Sequence, residues 1–416
     1  MTAPHQTRGG WLGAADGGTM DQTRIARAAL SRLFEPLDPM GTLLVEAFGP
    51  EQALRIACGG AGSDEVAEIS AVLDPAGDTR KRSQAVAPLG TLPAALERWR
   101  PRVAQLAPER DLETIARFGG RLVTPEDDEW PPGLEDLGAE SPLCLWVRGE
   151  EPLPTTGQSA AVVGSRDATG YGLSVSGDIA RGLVDVGVTV VSGGAYGIDG
   201  QAHRAALTSS GPSVPTVAVL AGGVDRYYPS GHEDLLREVA RRGHLVSELP
   251  PGASPSKHRF LKRNRLIAAM SAVTVVVEAR WRSGALSTAR RAVELGRHVA
   301  AVPGSVYSAN SAGCHRLLRD GATCVTEAKE VFELIAPAGE GLAEEPATPA
   351  RPHDGLSLVD LMVLEALPVR RGSEVEQLAV VAGLSEAEVR SGLGRLSLLG
   401  LAERTEGGWR RVRGAA

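Results

Sequence analysis

Lysine and cysteine are scarce in this chain. The four cysteines, Cys58, Cys144, Cys314 and Cys324, form no C-x-x-C pair. That spacing excludes a zinc ribbon and gives no disulfide framework, so a reducing compartment is expected. No apolar run approaches the roughly 18–20 residues of a membrane span, and residues 1–20 are Gly-rich without the apolar stretch of a signal peptide. These absences point to a cytoplasmic protein with no membrane partner. An overall positive field is lacking too: 44 Lys and Arg stand against 51 Asp and Glu, a net charge of −7. Any polyanion must therefore be held by a local patch. No metal-ligand cluster is evident, and no Ser/His/acid set declares itself. Neither a metal, a cofactor nor a catalytic residue is expected.

At 416 residues, 43% of them apolar, the chain can hold two or three domains. Residues 1–20 read as a disordered tail. Over 21–150, apolar residues recur at helical spacing (Ile25, Ala28, Ala29, Leu33; then Leu43, Leu44, Ala47, Phe48), with a break at Gly49-Pro50. Residues 59–90, with Arg80-Lys81-Arg82, read as a loose insertion, and Leu143–Val147 as a strand. This segment is taken as a small helical module of the SAM or helix-hairpin-helix kind.

From 151 to 336 the texture changes. Continuous apolar runs such as Ala160–Val163, Val188–Val191 and Val273–Val277 mark strands buried on both faces. They alternate with amphipathic helical stretches, one of them capped by Thr169. The expected fold is α/β, a Rossmann-like doubly wound parallel sheet. A Pro/Ala/Glu-rich linker follows at 337–355. Residues 356–416 then show helix starts at Ser357, Ser373 (with Glu376) and Ser385 (with Glu388), an apolar face of Val389, Leu393, Leu396 and Leu399, and a hairpin turning at Gly407-Gly408. That pattern reads as a winged helix.

Two of the four lysines fall in Ser256–Arg265, where five Lys and Arg, one His and one Phe occupy ten residues. Cations around a ring suit a phosphate chain whose bases stack. Three predicted strands end in small residues: Gly164-Ser165-Arg166, Ser192-Gly193-Gly194 and Leu220-Ala221-Gly222-Gly223. In a parallel sheet these ends share one rim, where glycine lets backbone amides approach an anion. The motif is not a dinucleotide site: Gly164 is followed by Gly170 and Gly172, the second strand ends without an acid, and no P-loop is present. Asp199 with His203, Glu248, and Glu278 with Ser283 and Ser287 are the groups available for chemistry; Asp199 reads better as a residue that orders its own loop.

The residues Val163-Gly164-Ser165-Arg166, Ser192-Gly193-Gly194-Ala195-Tyr196-Gly197-Ile198-Asp199 with Ala202-His203, Tyr228-Pro229, Ser247-Glu248-Leu249-Pro250, Phe260–Ala268, Glu278-Ala279 with Ser283-Gly284 and Thr288-Ala289, Val302-Pro303-Gly304 and Gly321-Ala322 resemble the DNA-processing protein A (DprA/Smf) family. The likeness runs over about 175 residues from Ala160. Leu261, His232 and His315 depart from the residues common in the family. The resemblance implies a non-enzymatic protein that binds and protects single-stranded DNA with little sequence preference. It would load RecA recombinase in natural transformation or recombination, dimerise through the Rossmann-like domain and meet single-strand-binding protein. Carried onto this chain, Arg166 would clamp a phosphate, Lys257, Lys262, Arg263 and Arg265 would line the groove, Phe260 would meet a base, and Asn264 would fix the loop or a phosphate. Gly164, Ser165, Gly193, Gly194, Ser283 and Ser287 complete the expected DNA site. The alternative is a nucleotide-processing enzyme like the Rossmann-type cytokinin-activating phosphoribohydrolases. Their P-G-G-x-G-T turn is missing here: Pro303-Gly304-Ser305 leads into Val306.

Overall fold

The computed structural model describes residues 19–73, 90–209, 211, 214–336 and 355–412. All but the last two residues of the expected N-terminal tail, the Arg80-Lys81-Arg82 run and most of the Pro/Ala/Glu linker lie outside them, and those two residues open the first helix. The chain divides into two units, Met1–Ala343 and Glu344–Ala416. No helix among the described residues is long and apolar enough to cross a membrane.

The first unit opens with helices α1 (Thr19–Leu33), α2 (Pro39–Ala57), α3 (Ser63–Leu73), α4 (Leu92–Val103) and α5 (Pro108–Arg117). Gly49, at φ 75°, and Pro50 break α2 as their chemistry demands. Leu30, Leu33, Phe34, Leu44, Ile56 and Trp99 make a satellite core. Trp99 is fully buried, donating its indole N–H to Asp38 at 2.9 Å. The α3 and α4 helices were not expected.

Strands β1 (Gly120–Val123) and β2 (Leu145–Arg148) come next, then β3 (Ser159–Val163), α6 (Gly170–Asp185), β4 (Thr189–Ser192), α7 (Ile198–Thr208), β5 (Thr216–Val219), α8 (Glu233–Arg242), β6 (His244–Ser247), α9 (Lys257–Ala269), β7 (Val273–Val276), α10 (Gly284–Glu294), β8 (His298–Ala301), α11 (Ala312–Arg319), β9 (Thr323–Cys324) and α12 (Ala328–Glu333). Together they form a nine-stranded sheet of order β1-β2-β6-β5-β4-β3-β7-β8-β9. From β6 to β9 every pairing is parallel, while β1 and β2 add on antiparallel. The expected doubly wound α/β sheet is present, and the segment read as a helical module lends it two strands. Alternation sorts the core: Ala161 and Val163 pack on one face with Leu266, Ile267 and Ala289, whereas Ala160 and Val162 pack on the other with Ile179, Leu183 and Ile198.

The chain leaves β3 towards β4, β5 and β6, then returns to the other side of β3 as β7. The switch in strand order thus falls between β3 and β7, where sheets of this kind open a crevice at their carboxyl ends.

Two histidines are locked neutral inside this unit. His203 Nδ1 lies 2.7 Å from Thr216 Oγ1, which donates to the Val190 carbonyl at 2.7 Å. The threonine proton is spent, so His203 donates from Nδ1, and its buried Nε2 has no partner among the described residues. Burial first, then the charges of His232 and Arg263, push its pKa down to about 3. Burial likewise brings His244 down to about 4. Their folded values lie below the ordinary 6.5, so their contribution is complete above about pH 6.5 and is lost as pH falls through the folded values. Each group tilts stability by up to about 1.4 kcal/mol per pH unit in that window. His203→Asn should therefore flatten the pH dependence of denaturant melts between pH 6 and 4; a slope matching the unsubstituted chain would refute this.

The second unit contains α13 (Leu358–Ala366), α14 (Val375–Ala382), α15 (Glu386–Leu398) and an antiparallel pair, β10 (Ala402–Thr405) and β11 (Gly408–Arg411). Ser357 caps α13, and Ser385 with Glu388 forms a full capping box on α15. The expected box at Ser373 and Glu376 does not form. Ser373 instead exchanges backbone hydrogen bonds with Trp409, at 3.0 and 2.8 Å, and Glu374 becomes the first residue before α14. Val389, Leu393 and Leu396 are buried as expected, whereas Leu399 falls past the end of α15 and is exposed.

Candidate nucleic-acid interface

A cleft of about 300 Å³ opens at the switch point, between the exits of β3 and β7 and one side of α9. Helical geometry decides which residues of the basic stretch reach it. Phe260, Arg263, Asn264 and Ile267 are spaced i, i+3, i+4, i+7 and line the cleft. Arg259 and Lys262, on the other side of α9, do not. Arg259 pairs with Glu35 at 2.8 Å, and Lys262 Nζ donates to the Pro36 carbonyl. Burial raises the pKa of Glu35, but the hydrogen bond and charge of Arg259 outweigh it and hold the carboxyl low. Lys262, expected in the groove, thus lies outside this cleft; burial lowers its pKa although Glu35 opposes that shift.

Arg265 is a second correction. Its side chain is 1% exposed and forms a bidentate pair with Glu248 at 2.8 and 2.6 Å, with further bonds to the Glu140 and Lys262 carbonyls. It holds α9 to the sheet and cannot meet a ligand. Lys257 sits exposed in the first turn of α9, away from the cleft lining, and Ser287 does not line the cleft either.

Arg263 forms the floor. It is 4% exposed, and its Nη1 donates to the Gly193 carbonyl at 2.9 Å and to the Val219 carbonyl. It thereby closes the ends of β4 and β5 while its guanidinium lies 5.8 Å from the Phe260 ring centre. Burial lowers its pKa to about 10, and the nearby Asp199 resists that shift. A Cβ on Gly193 would fall 2.6 Å from this guanidinium, so the glycine makes room for it.

Several of the strand-end amides expected to greet a phosphate are already engaged. Asp199 accepts from Gly193 N at 3.2 Å, and the amides of Ala195 and Gly164 also stabilise its carboxylate, although burial drives its pKa up. Ser165 N donates to the Glu278 carbonyl at 2.8 Å. Glu278, buried, takes the Thr169 amide at 2.9 Å and its hydroxyl at 2.6 Å, and a Cβ on Gly172 would strike it. Asp199 and Glu278 are thus internal anions that order the β3 and β4 exits. Gly164 and Gly193 are needed for packing, and Gly194, at φ 67°, for its turn. The α10 start differs, being capped by the uncharged Ser283 hydroxyl, and both Ser283 and Gly284 line the cleft. Asn264 Nδ2 donates to the Gly284 carbonyl at 3.3 Å and fixes this loop.

The available positive charge is on the rim. Arg166 lies 5.1 Å over the Phe260 ring and makes no ion pair or hydrogen bond among the described residues; Arg282 is exposed and likewise free. Arg280 is neutralised by Asp167 at 2.6 Å. The Arg280-Trp281-Arg282 segment was overlooked in the sequence, although it repeats, at a strand exit, the mix of cations and ring that singles out 256–265. His232 and His315, the residues unusual for their positions, hydrogen-bond to the Gly194 and Gly304 carbonyls at 3.1 and 3.0 Å and so support the exits of β4 and β8.

The sequence pattern of the DNA recombination-mediator protein A family matches residues 121–336. The chain belongs to this family. It is 44% identical to a candidate DNA processing protein DprA of Mycobacterium tuberculosis over 411 residues, covering 95% of this chain and 96% of that protein. It is 37% identical to protein Smf of Escherichia coli, covering 70% of this chain and 77% of Smf. The crystal structure of DNA processing protein A from Streptococcus pneumoniae superposes with a TM-score of 0.56 at 28% identity, over 75% of this chain and 96% of that one. The family pattern begins at Arg121, inside β1, so it takes in both antiparallel strands as well as the parallel ones.

Proposed function

We propose that the chain is a non-enzymatic, cytoplasmic DprA-type mediator that holds single-stranded DNA in the β3/β7 cleft. One observation carries the reading: Arg166 lies 5.1 Å over the ring of the half-buried Phe260 with no carboxylate to neutralise it, in a cleft whose carboxylates, Asp167 and Asp199, are engaged by Arg280 and by the Gly193 amide. A base stacking on Phe260 brings its phosphate to Arg166, Arg282 and the α10 start. Stacking is tolerant of sequence, as every base has a π-face. Duplex DNA, with its bases paired and stacked, cannot offer one to the ring.

Arg166→Ala is expected to weaken oligothymidylate binding roughly tenfold and to reduce the slope of log affinity against log salt by about 0.7, the single-strand value for one phosphate contact. Fluorescence anisotropy over a salt series reads both. An unchanged affinity and slope would sink the site.

The family's mediator role supports delivery of the bound strand to RecA recombinase, with single-strand-binding protein as a further partner and the protein acting as a homodimer. The second unit is assigned as a winged helix with an accessory role. On α15, Arg395 is tied to Asp360 at 2.7 Å and Arg390 to Glu386 at 2.7 Å, which leaves little charge for a duplex.

A further inference from the structure

We propose that Trp281 is a second base-stacking platform, which carries single-stranded DNA out of the cleft along the strand ends of β7 and β8. The inference rests on the reading of the cleft given above and names where the strand goes next. Trp281 is 56% exposed on the loop after β7, adjacent in sequence to Arg282, which lines the cleft and has no ionic partner among the described residues. An exposed ring beside cations is the kind of surface on which an unpaired base stacks. Trp99, Trp130 and Trp146 are all buried, so among the described residues Trp281 is the tryptophan most open to solvent.

Its setting repeats that of Phe260. Phe260 has Arg166 at 5.1 Å, and Trp281 has the Arg316 guanidinium of α11 5.5 Å from its ring centre. Arg316 also lies 3.5 Å from Asp320. The order of exits along the rim follows the sheet: β3 with Arg166, β7 with Trp281 and Arg282, then β8, whose loop ends in Tyr307, 97% exposed. Neighbouring strands lie about 4.8 Å apart, so these exits span on the order of 10 Å. That is room for the strand to leave Phe260, pass a phosphate over Arg282 and stack its next base on Trp281. The acid on this rim, Asp167, is paired with Arg280 at 2.6 Å.

The test uses the full chain with thymidine 3′,5′-bisphosphate as the shorter strand, whose one base can cover only one ring, and an oligothymidylate of about fifteen nucleotides as the longer one, which spans both rings. Trp281→Ala should bind the longer strand at least about fivefold more weakly and the shorter one as the unsubstituted chain does. Trp281→Phe should restore the affinity for the longer strand. Base stacking quenches indole emission, so the longer strand should quench tryptophan fluorescence in the unsubstituted chain but not in Trp281→Phe. If Trp281→Ala binds both strands normally and quenching is unchanged by Trp281→Phe, the platform is wrong, while loss of binding in Arg166→Ala would keep the cleft itself. Failure of Trp281→Phe to restore binding would also overturn the role of the ring. If the unsubstituted chain binds neither strand, the cleft reading falls and the platform with it.

Discussion

Arg265→Ala is expected to lower the stability of the first unit by about 3–5 kcal/mol, the usual consequence of stranding one member of a buried ion pair. Glu248 is 9% exposed and would be left buried without its partner, and the Glu140 carbonyl would lose its donor. The substitution should act on folding and not on the DNA interface, because Arg265 does not line the cleft. Urea denaturation of Arg265→Ala beside Arg166→Ala separates the two roles: the first should lose stability, the second affinity. The double substitution Arg265→Met with Glu248→Leu should recover most of the loss, since matched apolar groups need no pairing. A single Arg265→Ala variant as stable as the parent would show that the pair is solvated and the side chain available after all.

Gly197→Ala is the second large effect. Gly197 has φ 76° and ψ −126°, and a Cβ there would lie 2.2 Å from the Ser165 carbonyl oxygen and 2.7 Å from that of Arg166. Backbone atoms cannot turn aside as a side chain can. The residue must leave its conformation or push the β3 exit away, at a cost of about 2–5 kcal/mol from strain and overpacking together. Ile198 N also donates to the Ser165 carbonyl at 3.1 Å, so the two exits are joined where the alanine would intrude. Both thermal stability and oligothymidylate affinity should fall. Gly187→Ala is the control: its φ is 87°, but nothing lies within 4 Å of an added Cβ, so only about 1 kcal/mol of strain is expected and the DNA affinity should hold. Equal losses in the two variants would show that clash contributes nothing.

The parallel sheet was legible because its strands are continuous apolar runs, a pattern that strands buried on both faces impose. Strands β1 and β9 were not, as Gly120–Val123 and Thr323–Cys324 are short and partly exposed. Much of the cleft was legible too: Arg166, Phe260, Arg263, Asn264 and Ser283 all line it. One difference between sequence and structure comes from direction. A run of charge in the sequence gives no direction, whereas a helix turns about 100° per residue, so Arg259 and Lys262 leave one side of α9 while Phe260 and Arg263 leave the other. That division could have been read from spacing alone. The burial of Arg265 could not, because its partner Glu248 arrives from a loop after β6. Nor could the occupation of the strand-end amides by Asp199 and Glu278, since glycine-rich turns look the same whether the anion they hold is internal or a ligand.

The antiparallel strands at the β6 side carry a consequence for where the protein can be divided. Cutting the chain at residue 151 would strip β2 from β6 and bare a row of backbone donors and acceptors, an open template for strand addition by other molecules. The same cut would release Arg259 and Lys262 from Glu35 and Pro36. A shortened protein would therefore be stickier and more cationic than the parent, and its hold on DNA would overstate that of the intact chain.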